Sequence, residues 1–188
     1  ITVVLISIVG TLVTDNLVDN LGVSLETTTT FFGAALIATF TIWYAFEKTL
    51  SIHSIFTVRR ELFYWAAILF TFALGTAAGD LTAEGLKLGY ANSTLLFGGL
   101  IAAVTAVFYL FKGNAIACFW AAYILTRPLG ASFGDLLSQK TADGGLGLGT
   151  VATSGLFLTA IAGLVLYLSA TRRDLEPATT QGENVLTQ

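Results

Sequence analysis

The chain has 188 residues, of which 55% are hydrophobic and 11% are charged, and its formal net charge is −3. A soluble domain of this length carries about a quarter charged residues. The composition therefore indicates an integral membrane protein and excludes a cytosolic enzyme or a nucleic-acid-binding domain. Cys118 is the single cysteine, so the composition also excludes a disulfide within the chain and a cysteine-based metal site.

Apolar runs of about twenty residues follow one another along the chain, and a helix of about 20 apolar residues can cross a bilayer. Breaks in the apolar pattern place six helices at about 1–21, 28–49, 60–86, 92–112, 115–138 and 148–171. The predicted fold class is therefore all-α, a polytopic transmembrane helical bundle. The polar residues 174–188 predict a flexible cytoplasmic tail.

Basic residues are concentrated on one predicted side of the membrane. This side contains the loop between helices 2 and 3, the loop between helices 4 and 5, and the C-terminus. Its basic residues are Lys48, Arg59, Arg60, Lys112, Arg172 and Arg173. Because cytoplasmic loops carry an excess of Lys and Arg, the pattern predicts a multi-pass protein with a cytoplasmic C-terminus. Most acidic residues then lie on the outward-facing side.

A tryptophan, a glycine and an aspartate recur at fixed spacing. The tryptophan lies ten residues before the glycine, and the aspartate lies five residues after it. The two full copies are Trp65, Gly75 and Asp80, and Trp120, Gly130 and Asp135; Gly10 and Asp15 form a partial first copy. The pattern predicts three parallel two-helix repeats, at about 1–55, 56–113 and 114–173, with the aspartates at similar depth. The tryptophans are expected to anchor their helices at the membrane interface.

These motifs, above all Trp65 with "GTAAGD" and Trp120 with "RPLGASFGD", resemble a bacterial membrane-protein family built from tandem two-helix repeats of unknown function. The resemblance covers nearly the whole chain, to about Arg173. It implies a helical bundle in the bacterial inner (cell) membrane. Members usually carry four repeats, so it also implies that a first helix pair is absent here. It implies no activity.

Acidic residues recur one helical turn apart at the outer ends of the first and third helices. Asp19 lies four residues after Asp15, and Glu84 lies four residues after Asp80. Residues four apart share a helix face, so these carboxylates repel unless a cation or a proton lies between them. Oxygen ligands of this type bind hard cations. These four residues and Asp135 are therefore candidate ion-binding or translocation residues.

Arg127 lies about twelve residues inside the fifth helix. A charge near the bilayer centre costs about 2.5–3.5 kcal/mol on insertion scales, and such a residue normally faces the bundle interior. We expect Arg127 to pair with an acid of another repeat, Asp15 or Asp80, and to act in translocation as an internal counter-charge or gate. A purely structural tie between repeats is the alternative. Pro128 is expected to kink the helix.

Small residues have the spacing typical of close helix contacts in membranes. They form two GxxxG pairs, Gly75 with Gly79 and Gly130 with Gly134. We expect all four glycines to lie at helix–helix interfaces.

The leading functional prediction is a membrane transporter or channel for a small cation, either a metal ion or a proton-coupled ion. The alternative is a structural or assembly subunit of a membrane complex without transport activity. No Ser-His-Asp, paired-His or CxxC pattern occurs, so we expect neither an enzyme nor a cofactor. Which metal, if any, is bound stays open. The expected partners are the lipid bilayer, a small cation, and further copies or subunits of a membrane complex, but no nucleic acid.

Overall fold

The computed structural model describes residues 2–171, most of which are helical, and this described part contains no strand. The long helices are α1 (Thr2–Asp15), α2 (Leu25–Glu47), α3 (Val58–Asp80), α4 (Tyr90–Phe111), α5 (Ala115–Ser138) and α6 (Gly149–Thr171). Five-residue π-helical turns extend α1 over Asn16–Asn20 and α3 over Leu81–Gly85. The predicted all-α bundle is confirmed. The predicted tail, 174–188, lies outside the described residues.

Each of these six helices, counted with its π-helical turn, is long and apolar enough to cross a membrane. The chain is therefore compatible with a multi-pass membrane protein. Counted in this way, the observed helices agree with the predicted ones to within three residues at every end. Pro128 lies within α5, which continues to Ser138.

Local side-chain caps set several helix ends. Ser24, Thr57 and Asn114 each accept a hydrogen bond from a backbone N–H three residues later, at the start of α2, α3 and α5. The cap at Ser24 explains why α2 begins three residues earlier than predicted. Lys48 and Lys112 end α2 and α4 with φ of 56° and 49°, the left-handed conformation that commonly terminates helices.

The first helix of each repeat is an inner helix, and the second is an outer helix. The inner helices stand in the order α1, α3, α5, with α3 in contact with both others. Each outer helix packs along the inner helix of the following repeat, α2 on α3 and α4 on α5. By contrast, α6 makes a small contact with its own α5. The repeats are therefore joined by one contact pattern that advances along the chain.

One glycine position joins successive inner helices. Gly10 of α1 faces Phe72 of α3, and a Cβ added at this glycine would lie 2.7 Å from the Cβ of Phe72. Gly75 of α3 faces Arg127 of α5 in the same way, and an added Cβ would overlap the Cβ of Arg127. Phe72 and Arg127 each lie three residues before the glycine of their own repeat, Gly75 or Gly130. The second contact is therefore the first one, moved by one repeat.

The expected packing of the four GxxxG glycines is observed for two of them. Besides Gly75, Gly79 approaches α5, since an added Cβ would lie 3.1 Å from the Cβ of Ala131. Gly130 and Gly134 do not pack as predicted: nothing in residues 2–171 lies within 4 Å of a Cβ added at either one. The reason is that the inner helices pack in one direction along the chain. Each inner helix uses its glycines against the next inner helix, and none follows α5 in the described part of the chain.

The predicted interfacial role of Trp120 is wrong, because this side chain belongs to the protein core. It is 5% exposed, and its ring centroid lies 5.9 Å from that of Trp43 on α2. Its indole N–H donates a hydrogen bond of 2.9 Å to the backbone carbonyl of Leu50. Trp65 is only half-buried, and its N–H donates to Glu61 on the same helix. The two repeat tryptophans therefore have different surroundings.

We expect Trp120→Phe to lower the free energy of unfolding by about 1–3 kcal/mol, because the Leu50 carbonyl would lose its donor inside the core. Trp65→Phe is the matched control, and its effect should stay below about 1 kcal/mol, since the bond to Glu61 is exposed. Denaturation in detergent, followed by circular dichroism, measures both changes. Equal losses for the two variants would contradict the assignment of Trp120 to the core.

Candidate functional site

A cavity of about 700 Å³ lies between the inner helices α1, α3 and α5 and the first turns of α6. All the residues predicted to bind or translocate an ion line this cavity. They are Asp15, Asp19, Asp80, Glu84, Arg127 and Asp135. Residues from three repeats, up to 120 positions apart in sequence, therefore meet around one space.

The aspartates of the three repeats are half-buried in the cavity wall, whereas Asp19 and Glu84 are exposed. Asp80 lies on α3, the middle one of the three inner helices, which contacts both α1 and α5, and it lines the cavity together with Asp15 and Asp135. Within the described residues, neither Asp15 nor Asp80 has an ion pair or a hydrogen bond to its carboxylate. Like charges close together in a partly dehydrated space repel strongly. A cation or a proton bound among them would relieve this repulsion.

The second acid of each predicted pair lies in a π-helical turn. The α-helix ends at Asp15 in the first repeat and at Asp80 in the second, and Asp19 and Glu84 follow in the wider turns. The expected α-helical alignment of each pair is therefore altered, although both second acids still line the cavity. The hydroxyl of Tyr90 donates a hydrogen bond of 2.8 Å to Glu84, which orients that carboxylate. Turns of this kind are frequent at functional sites.

The predicted ion pair between Arg127 and Asp15 or Asp80 is wrong. No carboxylate of the described residues lies within ion-pair distance of the Arg127 guanidinium. Its central carbon instead lies 3.9 Å from the ring centroid of Phe72 and 4.5 Å from that of Tyr123. Arg127 is level with Gly75, and Asp80 lies five residues further along α3, about 7.5 Å of helix rise. Helical side chains also point toward the helix N-terminus, here away from the acids.

Hydroxyl groups line the cavity between the acids and Arg127. The hydroxyl oxygens of Thr11 and Thr76 lie 3.3 Å apart and join α1 to α3. Thr153 of α6 is 5% exposed, and its hydroxyl has no hydrogen-bond partner within residues 2–171. A buried hydroxyl without a partner is costly, so a water molecule or a ligand in the cavity would stabilise it.

Sequence reasoning missed two parts of the cavity wall. Thr153 carried no signal, because α6 lacks the glycine–aspartate motif of the inner helices. The stacking of Arg127 on Phe72 could be recognised in the sequence, because the two residues occupy the same position in successive repeats. In parallel repeats, equivalent positions of neighbouring helices lie at similar depth, so this contact could have been predicted.

The acids do not form a compact cluster. In the described part of the chain, no three histidine, cysteine, aspartate or glutamate side chains lie close enough together to hold a metal ion. Within the described residues, the cavity thus presents separate carboxylates along a wall rather than a compact ligand set for one metal ion.

The fold and the cavity together define a class: a polytopic helical membrane protein made of tandem helix pairs, with charged side chains that line a cavity between its inner helices. The family described as Repeat of Unknown Function (DUF347) matches this chain three times, at residues 1–49, 63–114 and 118–174. Each match covers an inner helix and the outer helix after it. The chain belongs to this family, as the resemblance predicted. It matches no curated protein and no solved structure.

Proposed function

We propose that this protein is a membrane transporter or channel for a small cation. The observation that supports the proposal best is the shared cavity, whose described wall carries five carboxylates from three repeats. Acidic side chains select cations in membrane pores, and ionisable residues within a membrane mark ion pathways. Carboxylate and hydroxyl oxygens are the ligands that hard cations prefer.

The proposed pathway begins at the acidic end of the cavity. We propose that this end faces outward from a bacterial inner membrane and that the C-terminus lies in the cytoplasm, which the excess of basic residues at the opposite end supports. A negative entrance raises the local concentration of cations. A cation would then exchange its water for the carboxylates and for the hydroxyls of Thr11 and Thr76 beyond them. The positive charge of Arg127 lies deeper and would oppose further passage until the bundle rearranges.

Flux through purified protein in liposomes tests this proposal. The liposomes hold a pH-sensitive dye and are exposed to a panel of monovalent and divalent cations, with and without a protonophore, so that entry of a cation not coupled to protons also drives protons out and changes the dye signal. We expect at least one cation gradient to drive a flux that protein-free liposomes lack. The absence of flux for every cation, with the protein folded and incorporated, would contradict the proposal.

One observation favours the alternative function, a subunit of a larger membrane complex. The outer helices α2 and α4 each pack along an inner helix of the next repeat, but α6 has no such neighbour within residues 2–171. The glycine face of α5 at Gly130 is not closed by another helix of the described residues, and it lines the cavity. If a partner covers these faces, the protein extracted gently from its native membrane should have a mass well above that of a single chain. A monomeric mass would count against this function.

A further inference from the structure

The guanidinium of Arg127 has a charge that the protein does not balance locally. Stacking on Phe72 and Tyr123 is favourable. It nevertheless leaves the buried Nε without a hydrogen-bond partner, and the two terminal NH2 groups, which are not buried in this way, have no acceptor in the described residues and lie beside the cavity. A buried donor without an acceptor is costly, and a charged one more so. A group from outside the protein is therefore the natural counter-charge.

The space beside Arg127 is large enough for an organic molecule. The cavity of about 700 Å³ lies within the range of small-molecule sites, about 300–1,000 Å³, and far exceeds the roughly 30 Å³ occupied by one water molecule. Near Arg127 its wall includes the Phe72 ring and the hydroxyl-bearing residues Ser7 and Thr126. These groups suit a ligand with one anionic end and a short apolar body.

We propose that Arg127 binds the carboxylate of a small organic monocarboxylic acid, which is carried together with the cation. This inference rests on the proposed cation transport and names the solute that accompanies the ion. A planar guanidinium matches a carboxylate through two parallel hydrogen bonds. The described cavity wall contains no lysine and no second arginine, so its positive charge balances one negative charge rather than two.

The acids of the same cavity make the two binding events depend on each other. Asp15, Asp80 and Asp135, with Asp19 and Glu84 nearby, create a negative field that repels an organic anion. A cation bound among these acids weakens that field and so strengthens anion binding. By reciprocity, the bound anion strengthens cation binding by the same factor. The charges of the cavity are therefore sufficient to couple binding of the solute to binding of the cation.

Butyrate and its neutral analogue butyramide are suitable probes. Isothermal titration calorimetry of the purified protein should show butyrate binding, little butyramide binding, and tighter butyrate binding as the concentration of the transported cation is raised. Arg127→Gln should weaken butyrate binding by at least about tenfold, since it removes a charge-assisted hydrogen-bonded pair. Arg127→Lys keeps the charge without the planar fork and should give an intermediate affinity.

Several results would overturn the inference. Two results with the wild-type protein alone would overturn it: equal binding of butyrate and butyramide, or no binding of either. Unchanged butyrate affinity in folded Arg127→Gln, or affinity independent of the cation, would also do so. Cation flux that persists without any butyrate binding would leave the proposed cation transport standing and remove only the carboxylate. Butyrate binding without any cation flux would instead remove the cation transport on which the coupling rests.

Discussion

Asp80→Asn is expected to reduce cation flux by at least about tenfold while the helical bundle stays folded. Asp80 lines the cavity from α3, the middle inner helix, and it is half-buried. Its carboxylate has no cationic partner in the described part of the chain, so its removal breaks no ion pair there. A charge-assisted contact to a bound cation contributes about 1.5–3 kcal/mol, and 1.4 kcal/mol corresponds to tenfold in affinity.

Asp143→Asn is the matched control for this variant. Asp143 is an exposed acid on the same predicted side of the membrane, but it does not line the cavity. The same chemical change there should leave flux close to that of the wild-type protein. Wild-type flux through Asp80→Asn would remove Asp80 from the pathway. Equal losses in the two variants would indicate an effect of net charge rather than of a site.

Gly75→Leu should lower the free energy of unfolding by about 3 kcal/mol or more. A Cβ at this position overlaps the Cβ of Arg127 and lies 3.2 Å from the Arg127 carbonyl carbon, which is backbone and cannot rotate away. The larger side chain must therefore push α3 and α5 apart. Insertion of extra atoms into a well-packed interior costs about 1–3 kcal/mol, and more when the backbone must move.

Gly130→Leu repeats the substitution at the equivalent position of the next repeat. Nothing within residues 2–171 lies within 4 Å of an added Cβ there, so the change in stability should stay within about 0.5 kcal/mol. Denaturation of both variants in the same detergent gives the comparison. Because Gly130 lines the cavity, a large loss there would show that this side of the cavity is closed by a packed helix rather than open. A small loss at Gly75 would contradict the close packing of α3 on α5.

Prediction from the sequence succeeded where the deciding information is local. The six helices follow from the length of each apolar run, and the repeat follows from the spacing of Gly75 and Asp80 and of Gly130 and Asp135. The meeting of the acids in one cavity follows from parallel repeats, because equivalent positions then lie at similar depth. Each of these inferences needs only the geometry of a single helix or the parity of membrane crossings.

Prediction failed where a side chain's environment depends on the neighbouring repeat. Trp65 and Trp120 have the same position in their repeats, yet only Trp120 meets Trp43 and the Leu50 carbonyl. The predicted partner of Arg127 was wrong because the prediction considered only opposite charge. It did not consider the distance along the helix axis between Arg127 and the acids. Arg127 is level with Gly75, and its side chain points toward the helix N-terminus, so it reaches the ring of Phe72 three residues earlier on α3.

The sequence by itself determined a membrane-spanning bundle of three helix pairs with an acid near the end of each inner helix, because hydropathy and spacing act within each segment. Only the tertiary structure decided what each repeated residue touches. Every inner helix packs forward onto the next one, so identical motifs acquire different surroundings along the chain. Gly75 is closed by Arg127, Gly130 is left open within the described residues, and the charge of Arg127 faces the cavity without a protein counter-charge.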